Sequence, residues 1–340
     1  MIFKRDEKSL SPSLFLKMAK LRQDRRQPQR HGSWWNLFSR SSNRRFFRLL
    51  LILALLAVIP PIFFHFRLRR FQQMQLRKCG WLNNPPLVCA HGGDSTKAFP
   101  NTMSAYRIAL LSQVDCIEID VSRSSDGVLL ALHDRDLQRI SGNNSAKVGH
   151  LSMKEIKQLD DRHQFLREFD DQEIPTIEDA LRSVSRSVRQ VILDAKVGPP
   201  SYEQGLAQDI LSIVEKTRCR NCLVWAKSDI LVRDVTNLSS DTAVGYIVMK
   251  DPSTGTRTNL LRMKHARVVG VYHPLIDKKL VQILRGRNKK VYAWTVDYQV
   301  SMRKMLLAHG DAIVTSNPTL LQRLMQEIRT QCLEEGFSFQ

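Results

Sequence analysis

From residue 87 onward, short apolar or β-branched runs recur along the chain with longer amphipathic stretches between them. This alternation marks βα units built around a parallel sheet. The runs are LVCAH (87–91), CIEID (116–120), LLALHD (129–134), VILDAK (191–196), CLVWA (222–226), AVGYIV (243–248), VVGVY (268–272), VYAWTV (291–296) and AIVT (312–315). Eight strands close a barrel, so one of these nine must do something else. Between the second and third runs lie only Ser122 to Gly127, too few residues for the crossover that a parallel neighbour requires. Asp126-Gly127 is a hairpin signal, so the third run is expected to return antiparallel. Counting outward from a two-residue turn sets Ser125 opposite Val128, which brings His133 opposite Asp120 and puts Glu118 on the same face. The fold expected is α/β: a (β/α)8 TIM barrel with a hairpin and a cap insertion after strand 2, preceded by a single N-terminal transmembrane segment.

That segment is Leu49 to Phe66, 18 positions without Asp, Glu, Lys or Arg, long enough to span a bilayer. Arg44, Arg45 and Arg48 precede it, Arg67, Arg69 and Arg70 follow it, and phenylalanines sit at both edges, as in an interfacial belt. Pro60 and Pro61 remove two backbone donors and disfavour helix at Ile59, so a regular helix is expected over only part of the run. A buried core helix is the alternative. A cleaved signal peptide fits poorly, because 48 residues precede the run and no small-residue cleavage site follows it; the Arg- and Ser-bearing, acid-poor leader also leaves room for a transit peptide. The expected organisation is a basic tail without fixed structure (1–48), the anchor (49–66), a linker (67–84), the barrel (85–325, with an insertion at about 135–173) and a C-terminal tail (326–340).

The formal charge of +19 points at first to nucleic acid, but its distribution argues otherwise. Residues 1–78 hold 18 Lys and Arg against 3 Asp and Glu, whereas the remaining 262 carry 34 against 30. The folded part is nearly balanced and the tail has no nucleic-acid reader motif, so no nucleic-acid partner is expected. Within 20 residues of the apolar run, five basic residues lie on each side, so the local positive-inside count ties. The 13 basic residues of the whole leader favour a cytosolic N-terminus. The chain then reads as a single-pass membrane protein whose catalytic body is lumenal or extracellular, a placement that the sequons at Asn143 and Asn237 permit. The six cysteines set no framework by spacing. Cys219-x-x-Cys222 has no partner pair at metal spacing and reads as coincidence. The sequence sets no oligomeric state.

In a barrel the chemistry sits at the C-terminal ends of the strands. His91 ends the first run, Glu118 and Asp120 the second, and Asp194 with Lys196 the run at 191–196. Carboxylates crowded on adjacent strand ends repel one another unless a cation lies between them, and oxygen ligands suit Ca2+ or Mg2+ better than zinc. Two histidines can do general acid and base work near neutral pH, and a lysine with a metal can stabilise the charge of a phosphate ester under attack. Singly, each residue is more often structural. Their joint position at one end of one barrel is what points to phosphate-ester cleavage.

The stretches HGG-x5-FPNT (from His91), EID, SDGV-x4-HD, IPTIEDAL (174–181), DAK and WTVD (294–297) resemble, in order, the motifs of the glycerophosphodiester phosphodiesterases, especially membrane-anchored plant members. The resemblance covers about residues 87–320. It implies His91 and His133 as acid and base, Glu118, Asp120 and Asp194 as metal ligands, and Lys196 as a phosphate contact, with Asn101 and Trp294 expected to contact substrate. It also departs from the family pattern. Gly92 stands where the family usually has Arg, Pro100 where it has Glu, Asp194 where Glu is usual, and Thr315-Ser316 where Thr-Asp closes the barrel. These departures bear on substrate affinity and metal occupancy rather than on fold. The function expected is metal-dependent hydrolysis of glycerophosphodiesters to sn-glycerol 3-phosphate and an alcohol. The alternatives are a lysophospholipase D acting on membrane lysophospholipids, or a catalytically weak barrel that binds phosphate ligands.

Overall fold

The computed structural model describes residues 40–162 and 174–338. The expectations for most of the basic tail, for residues 163–173 of the insertion and for the last two residues lie outside the described residues. The chain divides into two compact units, Met1–Phe66 and Arg67–Gln340.

A 40-residue helix, Arg40–Cys79, contains the apolar run. Its most apolar 18-residue window has a mean hydropathy of 2.6 and is wholly unburied, so by length and composition it can cross a membrane. The helix runs through Pro60 and Pro61, contrary to the expectation of an interruption there. Two missing donors are a local cost, and the many hydrogen bonds on either side hold the helix together. Residues 67–79, expected as linker, are the last turns of this helix, and Gly80–Asn83 form a 3-10 turn that buries Trp81 and Leu82.

Among the described residues nine strands follow: β1 (Leu87–His91), β2 (Cys116–Arg123), β3 (Leu129–Ala131), β4 (Gln190–Ala195), β5 (Cys222–Ala226), β6 (Ala243–Val248), β7 (Val268–Tyr272), β8 (Lys290–Trp294) and β9 (Ala312–Thr315). All neighbours pair parallel except β2 with β3, and β1 pairs with both β2 and β9, so eight strands close on themselves. The runs are dominated by Val, Ile, Leu and Ala because both faces of each strand are covered. Inside, Trp225, Tyr292, Ile192 and Val268 fill the barrel. A Cβ on Gly270 would come within 2.7 Å of the Trp225 ring, so the glycine makes room for that ring. Outside, the helices bury apolar stripes such as Ile177, Leu181 and Val184 against the sheet.

The hairpin is real, but its register differs by one residue from the two-residue turn expected. Ser124 N donates to Val128 O and Gly127 N donates to Ser124 O, leaving a three-residue loop with Gly127 at φ +85, a conformation that glycine tolerates at little cost. Val121 therefore faces Ala131, and Leu132 N donates to Asp120 O. His133 does not meet Asp120 across a ladder. The strand ends at Ala131, and His133 becomes the N-cap of the helix Asp134–Ser141.

The cysteines overturn the reading of no framework. Cys79–Cys332, Cys89–Cys116 and Cys219–Cys222 are all disulfides. The first spans 253 residues and the second 27. Barrel closure brings these partners together, so spacing along the chain could not reveal them; Cys89 and Cys116 are register neighbours on β1 and β2. Cys332 lies on the closing helix Pro318–Glu334, so residues expected as a tail are mostly helix.

Candidate active site

Strand register places the acidic residues. His91 pairs with Glu118 across β1–β2, and Asp120 pairs with Asp194 across β2–β4. Alternation then turns Glu118, Asp120, Asp194 and Lys196 toward one end of the barrel. Carboxylate oxygens of Glu118, Asp120 and Asp194 lie within 4.8 Å of one another, and all three residues are buried. Lys196 reaches between them, with Nζ 2.7 Å from Asp120 Oδ1 and in still closer contact with Asp194 Oδ2. It was expected at the phosphate. Here its ammonium is committed to carboxylates.

The charges follow from this crowding. Burial, then the neighbouring Asp120 and Asp194, push the Glu118 carboxyl well above the carboxylate range. Burial also works against ionisation of Asp120, but Lys196, His91, His133 and Arg135 outweigh it and hold Asp120 well below that range. Burial lowers His91, with Asp120 acting in the opposite sense. Burial and then Lys196 pull His133 down to about 4. Both imidazoles are thus neutral at neutral pH. Both also act on Asp120 electrostatically.

Tautomers are set locally. His133 Nδ1 accepts from the Arg135 backbone N–H at 3.1 Å, which puts the ring proton on Nε2. His91 Nε2 lies 3.5 Å from Arg135 Nη2 and 4.0 Å from Glu118 Oε2. Facing a guanidinium, which only donates, that nitrogen keeps its lone pair.

Asn101 is not where it was expected. It is 1% exposed, and both ends of its amide are used: Nδ2 donates to Asp120 Oδ2 at 2.8 Å, while Oδ1 accepts from Asp120 N and from Tyr106 Oη. It holds Asp120 in place and offers nothing to a ligand. Its φ of +64 suits asparagine better than most residues. Trp294 closes β8 at the same end of the barrel and packs against Tyr272 of β7, with ring centres 5.5 Å apart.

Sequence reasoning missed Arg135, Asp136 and Tyr272. Arg135 stands between His91 and Asp120 because the N-cap at His133 swings the first helical turn over the site. Asp136, buried beneath it, has its carboxyl raised to about 6 by burial. Asp297, quoted in a motif without a role, accepts from Ser316 N and Thr315 Oγ1 and so ties the end of β8 to β9.

A fold of this kind with this cluster at its C-terminal rim is suited to hydrolysis of phosphoric diesters, and the comparisons make the family plain. Residues 91–320 match the glycerophosphoryl diester phosphodiesterase family, and the chain belongs to it. It is 62% identical to Glycerophosphodiester phosphodiesterase GDPD4 of Arabidopsis thaliana over 302 residues, covering 88% of this chain and 92% of that protein. A glycerophosphodiester phosphodiesterase of Caldanaerobacter subterraneus is 26% identical over 71% of this chain and 98% of its own. Among solved structures, an Oleispira antarctica phosphodiesterase in complex with the product sn-glycerol-3-phosphate superposes with a TM-score of 0.60 at 23% identity, covering 71% of this chain and 97% of that one. A Galdieria sulphuraria member gives 0.59 at 18% identity, covering 71% and 98%. These two support the barrel fold. The enzyme class is glycerophosphodiester phosphodiesterase.

Proposed function

We propose that this chain is a membrane-tethered, metal-dependent enzyme that hydrolyses glycerophosphodiesters to sn-glycerol 3-phosphate and an alcohol. The observation that carries the reading is the meeting of three buried carboxylates with two neutral imidazoles at the C-terminal end of the barrel. The donor set fits a hard divalent cation. Three carboxylates converge within 4.8 Å, and Asp120 Oδ1 is buried with no hydrogen bond of good geometry despite its ion pair. Glu118, Asp120 and Asp194 would hold Ca2+ or Mg2+, which when bound supplies positive charge to the phosphoryl oxygens.

The remaining chemistry falls to the chain's own groups. His91 Nε2, with its lone pair, takes a proton from the attacking water as the water oxygen bonds to phosphorus. His133 Nε2–H gives a proton to the leaving alcohol oxygen as the P–O bond breaks. Asn101 keeps Asp120 in one orientation throughout. Three disulfides in the barrel unit support an oxidising, lumenal or extracellular setting for it, and the unburied apolar helix supports the tether. The same helix favours a second reading, lysophospholipase D activity on lipids of the bilayer.

The full chain in detergent is assayed for glycerol 3-phosphate release from glycerophosphocholine, and for choline release from lysophosphatidylcholine in mixed micelles. Release from the first substrate that is lost on chelation and in the doubly substituted His91→Ala, His133→Ala chain supports the reading. No release above that control from either substrate refutes it and leaves a phosphate-binding barrel.

A further inference from the structure

A phosphodiester carries one negative charge and gains more as its phosphorus is attacked, so something cationic and accessible must meet its nonbridging oxygens. Lys196 is poorly placed to do so, since its ammonium is held by Asp120 and Asp194 below the mouth. Position 92 cannot supply a cation either. Gly92 has no side chain to offer, and at φ +61, with a would-be Cβ 3.0 Å from Pro100 Cβ and 3.2 Å from Asn101 N, any side chain there would be strained.

Arg135 is placed differently. Its side chain is 51% exposed, with Nη2 3.5 Å from His91 Nε2 and 3.8 Å from Asp120 Oδ2, and Nε 3.9 Å from Asp136 Oδ2. All three contacts are at or beyond the outer limit of a hydrogen bond. The guanidinium is steered by charge while its donors stay open to a ligand. Asp136 Oδ2 is buried without a hydrogen-bond partner, and with Asp120 it anchors the cation from below. Helix stability gives no reason for an arginine here, because a cation in the first helical turn faces the positive end of the helix dipole.

We propose that Arg135 binds the nonbridging phosphate oxygens of the substrate, and the phosphate of the glycerol phosphate product, through its guanidinium at the barrel mouth. The proposal rests on the phosphodiesterase reading for its substrate, but anion binding tests it without turnover. A planar guanidinium grips two oxygens at once, whereas an ammonium is a single point of charge.

The test uses the full chain in detergent, with Arg135→Ala, Arg135→Gln and Arg135→Lys, and with Lys227→Ala as a comparator because Lys227 follows β5 at the same rim. Calorimetry measures the Kd of sn-glycerol 3-phosphate and of inorganic phosphate, and steady-state assays measure KM and kcat. In Arg135→Ala and Arg135→Gln, Kd and KM are expected to rise about 10- to 100-fold, as for loss of a charge-assisted bidentate contact. Arg135→Lys should recover part of that loss. Inhibition by uncharged glycerol should not change, and melting should stay within a few degrees, which a merely structural role would not produce. Anion binding within twofold of wild type in both variants, failure of wild type to bind either anion, or a loss seen in Lys227→Ala instead would overturn the proposal. Arg135-dependent binding without hydrolysis sinks the enzymatic reading and leaves this one standing; hydrolysis that ignores Arg135 does the reverse.

Discussion

Replacing Asn101 by Ala should both unfold the barrel at lower temperature and disarm Asp120. The substitution removes the 2.8 Å donation to Asp120 Oδ2 and the acceptor for the Asp120 backbone N–H at 3.0 Å, and it leaves the Tyr106 hydroxyl without its partner. A hydrogen bond to a charged group is worth about 1.5–3 kcal/mol, and an orphaned buried N–H costs about 1–3 kcal/mol. Alanine at φ +64 adds about 1 kcal/mol that asparagine largely avoids. The sum is about 3.5–7 kcal/mol, and at about 2–4 °C per kcal/mol for a unit of this size the melting temperature should fall by about 7–28 °C. Circular dichroism of the full chain in detergent measures this. Asn101→Gly separates the terms: it keeps the backbone conformation, loses the same hydrogen bonds, and should melt a few degrees above the alanine variant. kcat should fall in both variants, since Asp120 is free to rotate. An alanine variant that melts within about 2 °C of wild type with unchanged kcat would refute the account of Asn101 as the residue that fixes Asp120.

Other outcomes follow from the site and its surroundings. Because burial lowers the base His91 below the ordinary imidazole value of 6.5, kcat/KM should stay level through neutral pH and drop only on the acid side of that value, where His91 takes up a second proton and can no longer act as base; a steep loss centred at or above 6.5 would contradict this. Asp136 has the opposite sign. Its carboxyl is raised to about 6, so the folded chain holds a proton that the unfolded chain releases above about 4. Stability from this group is therefore present at low pH and lost as pH rises through about 6, by about 3 kcal/mol at most; in denaturant titrations, Asp136→Asn should remove that slope. Chelation should lower the melting temperature along with activity, because the three converging carboxylates of Glu118, Asp120 and Asp194 would lose the cation that offsets their mutual repulsion. Finally, alkylation of the denatured, unreduced chain should label none of the six cysteines, and Cys332→Ser should cost about 2–5 kcal/mol by opening the 253-residue closure to Cys79.

What the linear pattern determined is considerable. Five of the nine runs, 87–91, 222–226, 243–248, 268–272 and 312–315, coincide with the bounds of their strands, because a strand buried on both faces needs an unbroken apolar run ended by polar turns. The runs 87–91, 116–120 and 191–196 carry His91, Glu118, Asp120 and Asp194 toward their C-terminal ends, so the acidic cluster was legible from strand alternation. Other features depend on which groups meet after closure. The hairpin slipped by one residue because Gly127 accepts a positive φ and makes a three-residue loop, and a slip of one exchanges the two faces of a strand. His133 still acts on Asp120 through charge, but from a helix cap. Asn101 lies under Asp120 and Arg135 over it, contacts spanning 19 and 15 residues that no spacing encodes. The disulfides belong to the same category: Cys89 and Cys116 meet across two adjacent strands, and Cys79 meets Cys332 where the two ends of the barrel unit come together. A sequence dictates the period and ends of its elements because those depend on local burial and backbone chemistry. Who touches whom depends on closure, and closure is a property of the whole barrel.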